Sequence, residues 1–292
     1  MPVIGVLSKV KRPEKSRYFW YKLLLIVVTG SIYLYNQVNT IYGGDAGDLI
    51  SAIATKGIAH PPGYPLYVLL GIIADNFISF GSSAWKIAFL SSIPSILTIV
   101  ILFDLLVTLT KKATVSFITV LVLAFTYPFW LYSEVVEVFA LNNLFTVILL
   151  WSFFRFYAYG RIKYLYLGFY IIGLALTHHH IIIFLLPCLI FLLFQQRKLI
   201  TIQKMITGVL FFLLGLLPYL YVFISSSQNP EINWMGQPTV TQFFHLVARS
   251  TYGTFRAGAF TANQLNLRLL DIYGFWNFAY NDFRVIGVFL FI

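Results

Sequence analysis

Two carboxylates, Asp45 and Asp48, stand three residues apart in a polar stretch, 43–67, that follows the first apolar run. On a helix that spacing stacks them one turn apart on one face. Such a pair could accept or orient the proton of a hydroxyl group, or hold a divalent cation. A competing reading makes Asp45 a helix N-cap, because two glycines precede it and an amphipathic segment, 45–56, follows. We expect that segment to be a short helix lying on a membrane surface. His60 comes next, in His60-Pro61-Pro62-Gly63-Tyr64-Pro65. Proline removes a backbone donor and clashes with a preceding helical turn, so this run is a rigid turn that could fix an imidazole beside the carboxylates.

Three further groups carry chemical potential. Glu134 and Glu137 close an apolar run and would share one face of a helix, as solvated rim residues or as part of a cavity lining. His178-His179-His180 separates two apolar runs. Each helical step turns about 100 degrees, so three adjacent histidines cannot face one metal. One or two of them, His179 or His180, could donate to a phosphate. Arg249, Tyr252 and Arg256 recur at helical spacing and could bind a phosphate through charge-assisted hydrogen bonds, or anchor the chain at an interface.

The elements that must position these residues are membrane helices. Hydrophobic residues make up 59% of the chain and charged ones only 10%, which excludes a soluble globular domain. Apolar runs of about 20 residues recur, so the fold class is an all-α polytopic membrane protein. The net charge of +10 is not a nucleic-acid footprint, because the basic residues gather at run ends where topology is set. Lys9, Lys11, Arg12, Lys15, Arg17 and Lys22 precede or edge the first span, 18–37, and read as a cytosolic signal anchor. Lys111-Lys112, Arg155, Arg161, Lys163 and Arg197-Lys198 mark the same side later in the chain. Further apolar runs fall at 87–109, 113–131, 139–157, 164–176, 181–194 and 205–224.

The segment 66–80 is short and carries Asp75. Counting it as a full span would invert every later loop, so it reads as re-entrant or juxtamembrane. The first outer loop is then 39–64 and a long outer loop covers 225–283, within a single domain, 1–292, whose active side is lumenal or periplasmic. Cys188, the single cysteine, reads as a small buried hydrophobe. The final run, 285–292, is too short to cross a bilayer, so the chain is a fragment or its last segment needs a partner.

No Walker loop, GxSxG, HExxH or dinucleotide fingerprint occurs in a plausible context. Group transfer on the outer face therefore needs an activated donor that arrives in the membrane, and a lipid-phosphate sugar is the natural one.

Several motifs carry a resemblance. They are Gly44-Asp45-Ala46-Gly47-Asp48-Leu49-Ile50, then Ala59-His60-Pro61-Pro62-Gly63-Tyr64-Pro65-Leu66, and Ser133-Glu134-Val135-Val136-Glu137 running to Asn143. Gly215-Leu216-Leu217-Pro218-Tyr219, Asn233-Trp234, Arg249 and Tyr252-Gly253-Thr254-Phe255 follow in order. Together they resemble a family of multispanning GT-C-type glycosyltransferases. That family includes the endoplasmic-reticulum protein O-mannosyltransferase of plexin-type IPT domains and many bacterial members.

The resemblance implies a GT-C fold, a catalytic carboxylate in the first outer loop, and a polyprenyl- or dolichyl-phosphate sugar as donor. Asp45 aligns with the acidic position that engages the acceptor hydroxyl. Asp48 stands where the family often has Glu, with a shorter reach. Relatives continue through further spans and often an additional domain.

The sequence thus leads to a membrane glycosyltransferase, of the bacterial inner membrane or the endoplasmic reticulum. It would move a hexose, mannose first among them, to a hydroxyl on a protein or glycan. Asp45 and Asp48 are the catalytic candidates; His60, Glu134, Glu137, His179, His180, Arg249 and Tyr252 are the substrate-binding ones. The alternatives are a transporter or flippase subunit, whose intramembrane polar residues would line a path, and an inactive truncated scaffold.

Overall fold

The computed structural model describes residues 18–252, 270, 272–277 and 280–281. The described residues form an all-α fold with no strand. The helices are α1 Phe19–Asn36, α2 Ala46–Ala54, α3 Pro65–Phe77, α4 Ser83–Thr110, α5 Ala113–Ala124 and α6 Tyr127–Leu131. They continue as α7 Phe139–Tyr159, α8 Ile162–Leu176, α9 Leu186–Gln195, α10 Ile202–Gly215, α11 Tyr219–Ser227 and α12 Val240–Val247. Most of the basic segment ahead of α1, Arg256 and much of 253–292 lie outside the described residues.

Three helical runs are long and apolar enough to cross a membrane: Ser83–Thr110, Phe139–Tyr159 and Ile202–Ser227. Several apolar runs are interrupted at or near a proline. The run at 113–131 divides at an extended Thr126 ahead of Pro128, giving α5 and α6. The run at 181–194 begins as a 3-10 turn, His180–Leu185, and becomes α-helical only where Pro187 can occupy the first turn of α9. Pro218 separates α10 from α11. The 13 residues of α3 reach only about 20 Å, short of a bilayer core. Their Asp75 pairs with Lys86 at 3.3 Å.

Packing sets α7 and α4 side by side, α8 on α7, and α10 on α8. At the α8–α10 crossing the backbones nearly touch: a Cβ added to Gly173 would come 2.9 Å from the Cα of Gly215. Small residues permit this approach, as expected where helices associate by close packing within lipid. Around that core the 3-10 turn before α9 and the outer faces of α9 and α10 expose Phe184, Ile190, Phe191, Leu210 and Leu214, an apolar surface suited to acyl chains. Cys188 lies exposed on α9, not buried as its apolar context suggests.

One end of the bundle is tied by charge. Asp104, near the C-terminus of α4, receives Lys22 of α1 at 2.8 Å and Arg155 of α7 at 2.7 Å. The Trp151 indole N–H donates to the same carboxylate at 3.1 Å, and the Arg155 guanidinium lies 4.5 Å from the Trp151 ring centre. A cavity of about 240 Å³ opens beside Lys22, Asp104 and Trp151. The opposite end of α4 meets the loop before α7, where Ser91 Oγ donates to the Val135 carbonyl at 2.6 Å. Thirteen residues of helix, roughly 20 Å, separate Asp104 from Ser91.

Asp104→Asn removes the carboxylate and leaves two cations facing each other. Losing one member of a buried ion cluster costs about 3 kcal/mol. Thermal unfolding in detergent should show a clearly lowered midpoint, and an unchanged midpoint would remove this cluster from the account of stability.

Candidate functional site: an aspartate–histidine–aspartate unit at the loop end

The turn 57–64 folds back over the start of α2. Gly63 has φ +90° and Tyr64 φ +43°, and α3 begins with Pro65 at its first turn. The Gly63 N–H donates to the His60 carbonyl at 2.7 Å. The expected rigid turn is therefore present, and it delivers His60 to the carboxylates. The His60 N–H and Nδ1 both meet Asp48 Oδ2, at 2.9 and 2.7 Å, while Nε2 lies 3.4 Å from Asp45 Oδ2. One imidazole thus bridges two aspartates that sit a helical turn apart.

Charge follows from that geometry. Burial works against a charged His60, whose side chain is only 12% exposed, but hydrogen bonds to Asp45 and Asp48 outweigh it. Its pKa is pushed up to about 9. The hydrogen bond from His60 holds the Asp45 carboxyl below the usual carboxylate range. For Asp48, burial opposes ionisation, and hydrogen bonds from His60 and Trp234 overcome it. At neutral pH the unit is an imidazolium between two carboxylates.

The two aspartates differ in what they leave free. Asp48 Oδ1 accepts from the Trp234 indole N–H at 2.8 Å and Oδ2 accepts twice from His60, so its acceptor sites are largely occupied. Asp45 has a 53% exposed side chain and makes no helix-capping hydrogen bond, although it stands at the N-cap of α2. The capping reading of its side chain is therefore wrong, because the carboxylate turns to His60 instead. The helix it begins buries Ala46, Leu49, Ile50, Ala52 and Ile53 against protein, chiefly α3, so its apolar face rests on neighbouring helices rather than on lipid.

Glu137 Oε1 accepts the Asp45 backbone N–H at 3.0 Å. Gly44, at φ +78°, lies so close that an added Cβ would come 2.5 Å from that oxygen. Glycine here serves both the left-handed turn and the contact. Burial raises the Glu137 pKa. Glu134 does not share a face with it, because 132–138 is a chain of turns and bends rather than a helix. The Glu134 side chain is buried with Oε1 unpaired, its carbonyl accepts from Val38, and burial pushes its pKa up to about 7 despite the nearby Asn36 and Trp130. The structure leaves Glu134 out of the cluster around His60.

The three histidines separate although no α-helix carries them: His178 lies in the turn after α8, His179 is extended, and His180 opens a 3-10 turn. His178 is fully buried, stacked on Tyr67 at 5.7 Å, with Nε2 2.8 Å from the Val138 carbonyl. His179 accepts the Ile181 N–H at Nδ1, and its ring lies 5.9 Å from that of Tyr64, which in turn packs 5.0 Å from His60. Burial, followed by His180 and Arg249, lowers the His179 pKa to about 4, so the ring is neutral and its Nε2 carries the proton. His180 Nε2 lies 3.1 Å from the Tyr219 hydroxyl, which spends its own proton on the Leu176 carbonyl at 2.7 Å. His180 must therefore donate in that pair.

Arg249 follows α12 in a turn at φ +56°, so it and Tyr252 are not placed by a helix as their spacing suggests. Its Nε is buried without a hydrogen-bond partner, and among the described residues no carboxylate forms a salt bridge with it. It sits close enough to lower the pKa of Asp45 and of His179. An unpaired guanidinium beside neutral histidines is a setting for an anion. The residues do not fit the divalent cation considered for the aspartate pair. His60 fills the space between the carboxylates, and among the described residues no cluster of three or more His, Cys, Asp or Glu side chains could hold a metal ion.

Sequence reasoning missed Trp234. Its indole reaches Asp48 from 186 positions away, and nothing in local spacing signals that contact. A signal did exist for Asp104, a carboxylate late in an apolar run, which calls for a partner wherever it occurs.

The chain matches the family described as "Protein O-mannosyl-transferase TMEM260 N-terminal domain" over residues 45–202. It is 32% identical over 251 residues to "Protein O-mannosyl-transferase TMEM260" of Mus musculus, an alignment covering 83% of this chain and 36% of that protein. Against "Protein O-mannosyl-transferase tmem260" of Dictyostelium discoideum it is 30% identical over 254 residues, covering 80% of this chain and 31% of the relative. The chain spans about a third of the length of these relatives. No solved structure matches it.

The imidazolium makes a signed prediction. Folded His60 holds its proton up to about pH 9, while the unfolded side chain releases it near 6.5. Between those values the folded state binds more protons, so stability is full below 6.5 and falls as pH rises toward 9, by at most about 1.4 kcal/mol per pH unit. The two aspartates act oppositely: their contribution is present above 3.8 and is lost as pH falls through their depressed folded values. Unfolding midpoints across the alkaline window should slope in the wild type and lose that slope in His60→Gln. Equal slopes would show that folded His60 is neutral.

Proposed function

Because the chain belongs to the protein O-mannosyl-transferase TMEM260 N-terminal domain family, we propose that it supplies the catalytic centre of a membrane O-mannosyltransferase. The donor is a polyprenyl- or dolichyl-phosphate mannose, the acceptor a hydroxyl on a protein, and the reaction takes place on the lumenal or periplasmic side within a GT-C architecture. The O-mannosyl transfer and the protein acceptor extend what the names of the relatives say of them. The lipid-phosphate donor and the side rest on chemistry and topology: the loop end carries Asp45, while Lys111, Lys112, Arg155, Arg161 and Lys163 gather toward the other.

One observation carries the reading: an exposed, ionised Asp45 lies within electrostatic reach of an Arg249 that forms no salt bridge among the described residues. The acceptor hydroxyl donates its proton to the free oxygen of Asp45. As the acceptor oxygen bonds to the anomeric carbon, the bond from that carbon to the phosphate oxygen breaks and the lipid phosphate leaves with the electron pair. Arg249 lies where the phosphate charge grows, and charge-assisted hydrogen bonds there strengthen toward the transition state. A carboxylate of low pKa is a weak base for a neutral alcohol. It suffices when leaving-group departure runs ahead and the attacking oxygen has become strongly acidic. Asp48 acts by positioning, since its oxygens hold His60 and Trp234.

Transfer of label from radiolabelled polyprenyl-phosphate mannose, in membranes holding the protein with any further spans of its natural chain, tests the assignment. Asp45→Asn at matched abundance and melting temperature should cut the rate about 10²–10⁴-fold. Equal rates would take Asp45 out of the mechanism.

A further inference from the structure

Trp234 is held more firmly than its exposure suggests. Its backbone N–H donates to the Ile58 carbonyl at 3.3 Å, and the Ile58 N–H donates to the Ile232 carbonyl at 2.8 Å, a short parallel bridge. Asn233 closes the next turn by exchanging two 3.0 Å hydrogen bonds with Gly236. Met235 is buried among Ile58, Val222 and Leu246, which pins the segment from below. The indole is left 46% exposed with its N–H committed to Asp48.

An interfacial anchor keeps its polar edge for water and headgroups. Here the polar edge is spent on a site carboxylate, and what remains open is ring. Tyr252 lies beside it with ring centres 6.5 Å apart and planes tilted by 37°. The Arg249 guanidinium follows at 5.9 Å from the Tyr252 ring centre. Guanidinium meets phenol and phenol meets indole, a row of successive contacts whose indole member is fastened to the aspartate–histidine unit.

We propose that Trp234, with Tyr252 beside it, is the pyranose subsite of the donor: the C–H face of the sugar packs on the exposed indole while its phosphate lies toward Arg249. The inference rests on the reading of the donor as a lipid-phosphate hexose. The order of the row matches the order of that ligand, an anionic phosphate followed by a ring with an apolar face and a hydroxyl edge. A peptide acceptor has no such fixed sequence of groups. Flat contact between polarised C–H groups and an aromatic face is favourable, and a locked ring spends little entropy in making it. Holding the sugar at the indole also keeps it near Asp45, because Asp48 is one helical turn from that residue and bonded to both Trp234 and His60.

The test separates binding from chemistry by using the full protein with Asp45→Asn throughout. Equilibrium binding is measured for polyprenyl-phosphate mannose and for polyprenyl phosphate lacking the sugar. Adding Trp234→Ala should weaken binding of the mannosyl lipid about tenfold and leave that of the bare lipid phosphate unchanged. Trp234→Phe keeps a stacking face and should retain most of the mannosyl-lipid affinity. It loses the donor to Asp48, so placed in the protein with native Asp45 it should shift the acidic limb of the transfer pH profile. An equal loss for both lipids would make Trp234 a loop brace and overturn the subsite, as would no loss for either. If the mannosyl lipid fails to bind even with Trp234 intact, the donor reading itself falls and takes this inference with it. Unchanged binding in Trp234→Ala sinks the subsite alone.

Discussion

Two carboxylates one turn apart on a helix repel each other, and this chain puts them at the edge of an apolar bundle, with Asp48 partly buried and Asp45 more open to solvent. That repulsion favours protonation of one of them. His60 prevents that by lying between them as a cation, in contact with Asp48 at 2.7 Å and Asp45 at 3.4 Å. Each partner depends on the others: the carboxylates keep the imidazole protonated, and the imidazolium keeps both carboxylates ionised. An exposed Asp45 that stays charged follows from this arrangement, and so does an Asp48 able to accept from Trp234. The loops around the site are arranged to keep that triple in register.

Three separate segments converge on it, each fixed by its own packing. The 57–64 turn is held from one side by Tyr221 and Ser225 of α11, whose hydroxyls donate to the Gly57 and Lys56 carbonyls at 3.0 and 2.8 Å. The 132–138 segment is held by Ser91 and His178 and hands Glu137 to the Asp45 N–H. The 232–236 segment is held by Met235 and the bridge to Ile58. Polar atoms of distant helices thus position loop backbone, and loop backbone positions the charged side chains. The ion cluster at Asp104 closes the other end of α4, so the long helix is tied at both ends while its middle relies on apolar packing.

Much of this was legible in the residues. Apolar runs identify the helices, and the Pro-Pro-Gly sequence identifies the turn and the nearness of His60 to the aspartates. What could not be read locally was direction. Glu134 and Glu137 share a spacing that implies a common face, but no helix forms at 132–138, and the two side chains part. Arg249 and Tyr252 look helical by spacing, yet α12 ends at Val247 and Arg249 turns left-handed. His178, His179 and His180 divide into a core residue and two others because the chain leaves α8 in a turn and His179 is extended, a local break that the spacing does not announce. Trp234 figured only within the Asn233-Trp234 motif, and its bond to Asp48, across 186 positions, leaves no local trace.

The balance of charge at the site bears on why no carboxylate among the described residues pairs with Arg249. Asp45 and Asp48 are offset by His60 and Arg249, and burial raises the pKa of Glu137 beside them. The proposed donor, a phosphodiester, brings one negative charge. In the proposed transfer the acceptor proton moves to Asp45, and the released lipid phosphate gains the charge that Asp45 gives up. Negative charge therefore migrates from the His60 side of the pocket to the Arg249 side, with no change in total. Had Arg249 been paired with a carboxylate of the fold, that migration would have to break an ion pair as the bond broke. With no salt bridge among the described residues, the guanidinium offers a charge already in place for the phosphate of the proposed donor.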